Sequence, residues 1–114
     1  MTVERTVGGW PLRAGLTRLD DGLHVLLTGG CRSHIGSVTV AEPTGEERTI
    51  ALPGHREAEV SRRWAAALAG RFRCRTAVVC GIHYDNLTRP QLADVLEGLE
   101  QMLRQIEGAD PAEI

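Results

Sequence analysis

The sequence contains no lysine, and all 13 of its basic residues are arginine. This absence excludes mechanisms that need a lysine Schiff base or a P-loop lysine. Aromatic residues make up only 4% of the chain, and the formal net charge is −2. A nucleic-acid-binding protein usually needs a basic surface or a platform of stacking rings, so no nucleic-acid partner is expected.

Long hydrophobic runs are also lacking, because no apolar run approaches the roughly 20 residues of a membrane-spanning helix. The residues before Gly8 contain no apolar segment typical of a signal peptide. The three cysteines, Cys31, Cys74 and Cys80, have neither C-x-x-C nor zinc-finger spacing. We therefore expect no membrane association, no disulfide bond and no structural zinc site, and we expect a cytoplasmic protein.

The length of 114 residues and the hydrophobic content of 42% are typical of one globular domain. We expect a single domain over residues 1–114, with a core over about residues 12–107 and a frayed tail over residues 108–114.

The first half of the chain has the pattern of paired strands. Residues 13–19 and 23–28 flank the turn Asp20-Asp21-Gly22, which predicts a hairpin. Residues 35–40 and 48–52 flank a second turn around Pro43 and predict another pair. Hairpins in series indicate a mostly antiparallel sheet.

The second half has helical periodicity around one apolar strand. Residues 57–72 have apolar side chains spaced by three and four, which predicts an amphipathic helix. The uncharged run at residues 76–82 predicts a central strand buried on both faces. Thr88 and Gln91 have the spacing of a capping box, with Pro90 in the first helical turn.

Together these elements predict a two-layer α+β domain, with two helices on one face of a mostly antiparallel sheet. The other sheet face is then either solvated or covered by a second copy. Seven large apolar residues between Leu92 and Ile106 form a wide stripe on the last helix. Because one small domain has little room to bury such a stripe, we expect a homodimer.

Three of the four histidines lie in glycine-bearing connections, at residues 29–36, 53–57 and 81–86. If these connections share one edge of the sheet, His34, His55 and His83 converge there with arginine and carboxylate side chains. Such an edge suits an anionic, hydrogen-bonding ligand. Each connection also has a structural interpretation, as a turn, a helix start or an Asx turn. The fourth histidine, His24, lies in a predicted strand and is expected to be a packed or surface residue.

No catalytic or metal-binding residues are predicted. Three imidazoles can ligate zinc, but these spacings create no local chelate. Cys80 lies in the apolar strand and should be inert. Cys31 is near His34 but lacks an evident oxyanion hole. The chain has no G-x-S-x-G or G-x-G-x-x-G motif.

The three connections together resemble the LpdD-like prenylated-flavin chaperones, small accessory proteins of UbiD-type aromatic decarboxylases. The resemblance rests on Gly29-Gly30 with Ser33-His34-Ile35-Gly36, on Pro53-Gly54-His55-Arg56-Glu57, and on the run from Val79 to Thr88. It extends from about residue 22 to about residue 103. Its most specific part is Gly-Ile-His-Tyr-Asp-Asn at residues 81–86.

This resemblance implies a fold similar to that of proteasome-assembly chaperones, prenylated FMN as the ligand, a UbiD-type decarboxylase as the partner, and no catalytic activity. Tyr84 is the expected neighbour of the flavin ring, and Arg32 or Arg56 would meet the phosphate. The expected cofactor-binding residues are the motif positions His34, Gly36, His55, Arg56, Gly81, His83, Tyr84, Asp85 and Asn86.

Two other interpretations remain open at the level of sequence. One is a protein-interaction module of the same fold with no small ligand. The other is a small metal-dependent enzyme that uses the three loop histidines.

Overall fold

A computed structural model describes residues 1–53 and 57–114. In that part of the chain, six strands form one sheet and two α-helices pack on it. The elements in chain order are β1 (Thr2–Val7), β2 (Trp10–Arg18), β3 (Gly22–Gly30), β4 (Ser37–Ala41), β5 (Glu47–Ala51), α1 (Ala58–Phe72), β6 (Arg75–His83) and α2 (Arg89–Glu107), followed by a short 3₁₀ helix at Pro111–Glu113.

The strand order in the sheet is β1-β2-β3-β6-β4-β5. Strand β6 pairs in parallel with β3 and antiparallel with β4, and the two expected hairpins, β2–β3 and β4–β5, are both formed. The mostly antiparallel sheet and the central place of β6 are therefore confirmed. One parallel pair brings the carboxyl ends of β3 and β6 side by side, with Gly30 opposite His83.

Strand β1 was not predicted from the sequence. It pairs with β2 at the edge of the sheet, and the two strands are joined by Gly8 and Gly9, whose φ angles are 61° and 79°. Two successive positive φ angles are typical of a type I′ hairpin turn, which glycine adopts without strain. Val3 of this strand is buried, so the core begins before residue 12.

The core lies between the sheet and the two helices. Helix α1 packs on β4, β5 and β6, while α2 packs on β1 and β2. Trp64 and Leu68 of α1 and Met102 of α2 are fully buried. The expectation that β6 is buried on both faces is wrong for a single chain, because Ala77 and Val79 remain half-exposed on the face without helices.

Helix α2 begins as its sequence predicts. The Thr88 hydroxyl accepts a hydrogen bond from the Gln91 amide, and the Gln91 side chain accepts one from the Thr88 amide. Its apolar stripe is mostly used by the chain itself. Five of its residues are buried in the core, and only Leu92 and Leu96 are well exposed. Within the described ranges, no helix has the length and apolar character needed to cross a membrane.

The tail differs from the expected frayed segment. The Asp110 side chain accepts a hydrogen bond from the Ala112 amide at the start of the 3₁₀ helix. Arg71 donates to the carbonyls of Glu107 and Ala109, and Ile114 packs against the core. These contacts hold the tail against α1.

Candidate functional site

The candidate site lies where the parallel strands β3 and β6 end. The Cys31 amide donates a 2.8 Å hydrogen bond to the carbonyl of His83, which ties the loop after β3 to the end of β6. Gly30 makes this junction possible, because its φ is 84° and a Cβ there would collide with the His83 carbonyl. The carboxyl ends of neighbouring parallel strands are a common place for ligand sites.

His34 is held by a buried carboxylate. Its Nε2 lies 2.9 Å from Oε1 of Glu57, the residue at the start of α1, and Glu57 is only 8% exposed. A buried carboxylate needs hydrogen bonds to offset its lost hydration, and the helix N-terminus also favours its negative charge. The pair fixes the imidazole ring of His34 at the base of α1.

His83 is held by a second carboxylate. Its Nε2 lies 2.9 Å from Oδ1 of Asp85, and the thiol of Cys31 lies 3.6 Å from Oδ2 of the same residue. The hydrogen bond from His83, followed by that from Cys31, lowers the pKa of the Asp85 carboxyl below its ordinary value. Asp85 is therefore a carboxylate at neutral pH.

The two histidine rings meet at the site. The ring centroids of His34 and His83 are 6.1 Å apart, and the ring planes are 81° apart, in an edge-to-face arrangement. The structure thus brings together two of the three loop histidines that the sequence singles out. His55 and Arg56 lie outside the described residues.

Glycines allow the loops to approach this closely. A Cβ on Gly36 would collide with the Glu57 carboxylate, and a Cβ on Gly81 would collide with the carbonyl of His34. The atoms that come close are the protein's own, so both glycines are needed for assembly of the loops.

Tyr84 stands between two clefts at this edge. Its hydroxyl donates to the Val7 carbonyl at 2.9 Å, and burial raises the pKa of the phenol. One cleft, of about 190 Å³, is shared with Trp10 and Cys31; the other, of about 250 Å³, lies between α1 and α2 and is walled by residues such as Ile82. The Tyr84 ring can therefore contact a ligand in either cleft.

Asn86 has a structural role in the turn that follows β6. It is exposed, and its φ of 54° lies in the left-handed region that asparagine tolerates better than most residues. It turns the chain from β6 toward α2. The preceding residue, Asp85, directs its carboxylate to His83 and Cys31.

Sequence reasoning missed two residues of this cluster, Cys31 and Glu57. Glu57 ends the second motif of the family resemblance, and Cys31 lies between the two parts of the first. An acidic residue at the start of a predicted helix was the available signal for Glu57. Cys31 had no local signal, because its partners lie more than 50 residues further along the chain.

The three cysteines are free thiols with different surroundings. Cys80 is fully buried, and burial raises the pKa of its thiol to about 12. Because the thiolate is the reactive form, Cys80 should stay unreactive throughout the neutral range.

Brief treatment of the folded protein with iodoacetamide should label Cys31 and Cys74 and spare Cys80, as peptide mass spectrometry would show. Equal labelling of Cys80 in the folded state would contradict this assignment.

Known proteins match this chain over most of its length. Residues 6–109 match a family model described as the prenylated flavin chaperone LpdD-like domain. The chain is 26% identical over 103 residues to the protein LpdD from Lactiplantibacillus plantarum, which covers 86% of this chain and 76% of that protein.

A solved structure has a similar fold. It is the crystal structure of a novel chaperone complex for yeast 20S proteasome assembly, and the match has a TM-score of 0.54 and covers 94% of each chain. At 18% sequence identity, this likeness concerns the fold alone. It confirms the predicted α+β architecture.

Proposed function

The chain belongs to the prenylated flavin chaperone LpdD-like family, and from this premise we propose that it binds prenylated FMN at the carboxyl ends of β3 and β6. It then passes the cofactor to a UbiD-type decarboxylase without catalysing a reaction itself. The observation that carries the proposal is the pair of fixed imidazoles, His34 and His83, at the edge where the family motifs meet, with His83 in the wall of the cleft between α1 and α2.

The chemistry of a flavin suits this edge. A flavin ring needs apolar walls and a few donors for its carbonyl oxygens. The cleft between α1 and α2 offers Val60, Ile82 and Leu99 as walls, with His83 and Tyr84 at one end. Its volume of about 250 Å³ is below the roughly 300 Å³ at which sites for whole drug-sized ligands begin. In the proposed arrangement the ring system enters this cleft and the ribityl phosphate lies along the edge.

The phosphate requires cationic or amide donors. Arg32 is exposed beside Asp85 and is one candidate for this contact. Arg56 is the other candidate from the sequence, and it lies outside the described residues. Binding of intact and dephosphorylated ligand to the Arg32→Ala and Arg56→Ala variants distinguishes the two arginines. Only the variant that lacks the phosphate-binding arginine should lose the preference for the intact ligand.

Colour offers a direct test of the proposal. The protein purified after co-expression with a flavin prenyltransferase should absorb in the near-ultraviolet and visible range. A colourless protein that still associates with the decarboxylase would instead support a protein-interaction module. That second candidate draws on the fold shared with a proteasome-assembly chaperone complex and on the exposed Leu92 and Leu96 of α2.

We also propose a homodimer, formed through the sheet face that carries no helix. Leu26, Val79, Val38 and Ile50 are register neighbours in one row across this face. Leu26 is 44% exposed and Ile50 is 65% exposed. Strand β4 turns polar Ser37 toward α1 and its valines toward the open face. This face, rather than the α2 stripe expected from the sequence, holds the main apolar surface left uncovered.

The dimer predicts a specific mutational result. Light scattering at micromolar concentration should give twice the chain mass, and Ile50→Arg should give a monomer, because a charge would be buried in the interface. Leu92→Arg is the matched control, since it adds the same charge at an exposed leucine of α2 and should leave the dimer intact. A monomeric wild-type protein, or loss of the dimer only in Leu92→Arg, would contradict the open-face interface.

A further inference from the structure

A thiol, an imidazole and a carboxylate converge at the end of β6. Cys31, His83 and Asp85 each offer one donor atom, and these three atoms lie within 4.8 Å of one another. We propose that they form a binding site for a zinc-like divalent cation. The proposal does not depend on the flavin, because it concerns only these three donors.

The distances are close to those that a metal requires. The thiol sulfur of Cys31 lies 3.6 Å from one Asp85 oxygen, and the His83 nitrogen lies 2.9 Å from the other. Around tetrahedral zinc, with bonds of about 2.0–2.3 Å, neighbouring donor atoms are about 3–4 Å apart. Small side-chain rotations therefore suffice to place all three donors around one ion.

The backbone holds the donors in place before any metal binds. The hydrogen bond from the Cys31 amide to the His83 carbonyl joins the two main chains. The positive φ of Gly30 directs the chain from β3 into that contact. The hydrogen bond between His83 and Asp85 already orients the imidazole toward the carboxylate. A site on the ends of two paired strands is more rigid than one on loops alone.

The kinds of donor indicate which metal would bind. A thiolate and an imidazole favour zinc and similar borderline ions over magnesium or calcium, which prefer oxygen donors alone. Cys31 is half-exposed and Asp85 is exposed, so an ion can reach the site from solvent. Three protein donors leave a fourth position, as in zinc sites that bind an exogenous ligand. Cys31 and Asp85 also line the cleft of about 190 Å³ together with Tyr84, so a small ligand there would lie near the ion.

Cobalt provides a probe of the sulfur donor. The full chain, freed of metal and kept reduced, should take up one Co²⁺ per chain with a thiolate-to-cobalt charge-transfer band, and Zn²⁺ should displace it. Cys31→Ser should abolish the band. Cys74→Ser is the matched control, because it removes another half-exposed thiol and should keep the band.

Zinc titration extends the test to the other donors. Asp85→Asn and His83→Ala should each weaken Zn²⁺ binding by at least about tenfold to a hundredfold, the loss that outer-shell changes alone can cause. His24→Ala should bind Zn²⁺ like the wild type. Asp85 is exposed, so Asp85→Asn should fold normally, and circular dichroism checks this. The proposal would be overturned if the wild type bound neither metal. It would also be overturned if the Cys31, His83 and Asp85 variants bound Zn²⁺ as tightly as the wild type does.

Discussion

Replacing Gly81 with valine is expected to lower the free energy of unfolding by about 3 kcal/mol, the upper end of the usual cost of overpacking. A Cβ at this position would collide with the carbonyl group of His34. The loop cannot easily move away, because the neighbouring Gly36 amide donates a 2.9 Å hydrogen bond to the carbonyl of Cys80. Urea denaturation followed by circular dichroism measures the loss.

Gly15→Val is the matched control for this change. Gly15 also lies in a strand of the same sheet, its φ is not positive, and an added Cβ meets no atom within 4 Å. Its free energy of unfolding should change by less than about 1 kcal/mol, since valine suits a strand. Gly8 is a poor control because its φ is 61°. If both valine variants were equally stable, the close contact between the His34 loop and β6 would be wrong.

The second large effect is expected in binding of prenylated FMN. Each of the substitutions His34→Ala and His83→Ala should weaken binding by about tenfold to a hundredfold. This range corresponds to the roughly 1.5–3 kcal/mol of binding free energy that is lost when a hydrogen bond to a charged group is removed or a buried polar group is left without a partner. The reason is geometric, because both rings are held by carboxylates within 2.9 Å and face one another at the site. Fluorescence or absorbance titration of the purified variants gives the dissociation constants.

His24→Ala is the control for the histidine series. His24 lies in β3, six residues before the end of the strand at Gly30, and belongs to none of the three connections. Its loss should leave affinity unchanged. Wild-type affinity in both His34→Ala and His83→Ala would place the flavin elsewhere on the protein and contradict the proposed site.

Much of the fold can be predicted from the sequence, because local patterns determine most of its strands and helices. The Asp20-Asp21-Gly22 turn, the capping box at Thr88 and the apolar run of β6 each match an element of the structure. The edge strand β1 escaped prediction because Val3 is its only fully buried residue, and a strand with so little apolar character has no clear pattern. The parallel pairing of β3 with β6 is long-range, and no short stretch of sequence encodes it.

The candidate site was harder to predict for the same reason. The motifs pointed to His34 and His83, which the fold brings together. Their partners Glu57 and Cys31 become visible only when α1 and β6 are placed in space. Tyr84 was expected to flank a flavin ring, and its hydroxyl also holds the β1–β2 hairpin through Val7. The motif sequence alone does not show which of its residues contact a ligand and which hold the fold together.

Mass spectrometry of the ligand released from the protein tests the central proposal most directly. The wild-type chain and the His34→Ala/His83→Ala double variant would each be co-expressed with a flavin prenyltransferase, purified, and extracted under anaerobic conditions. We expect the wild type to release prenylated FMN in near-stoichiometric amount and the double variant, folded by circular dichroism, to release little. A wild-type protein that releases no prenylated flavin, or a double variant that releases as much as the wild type, would contradict the proposed binding site.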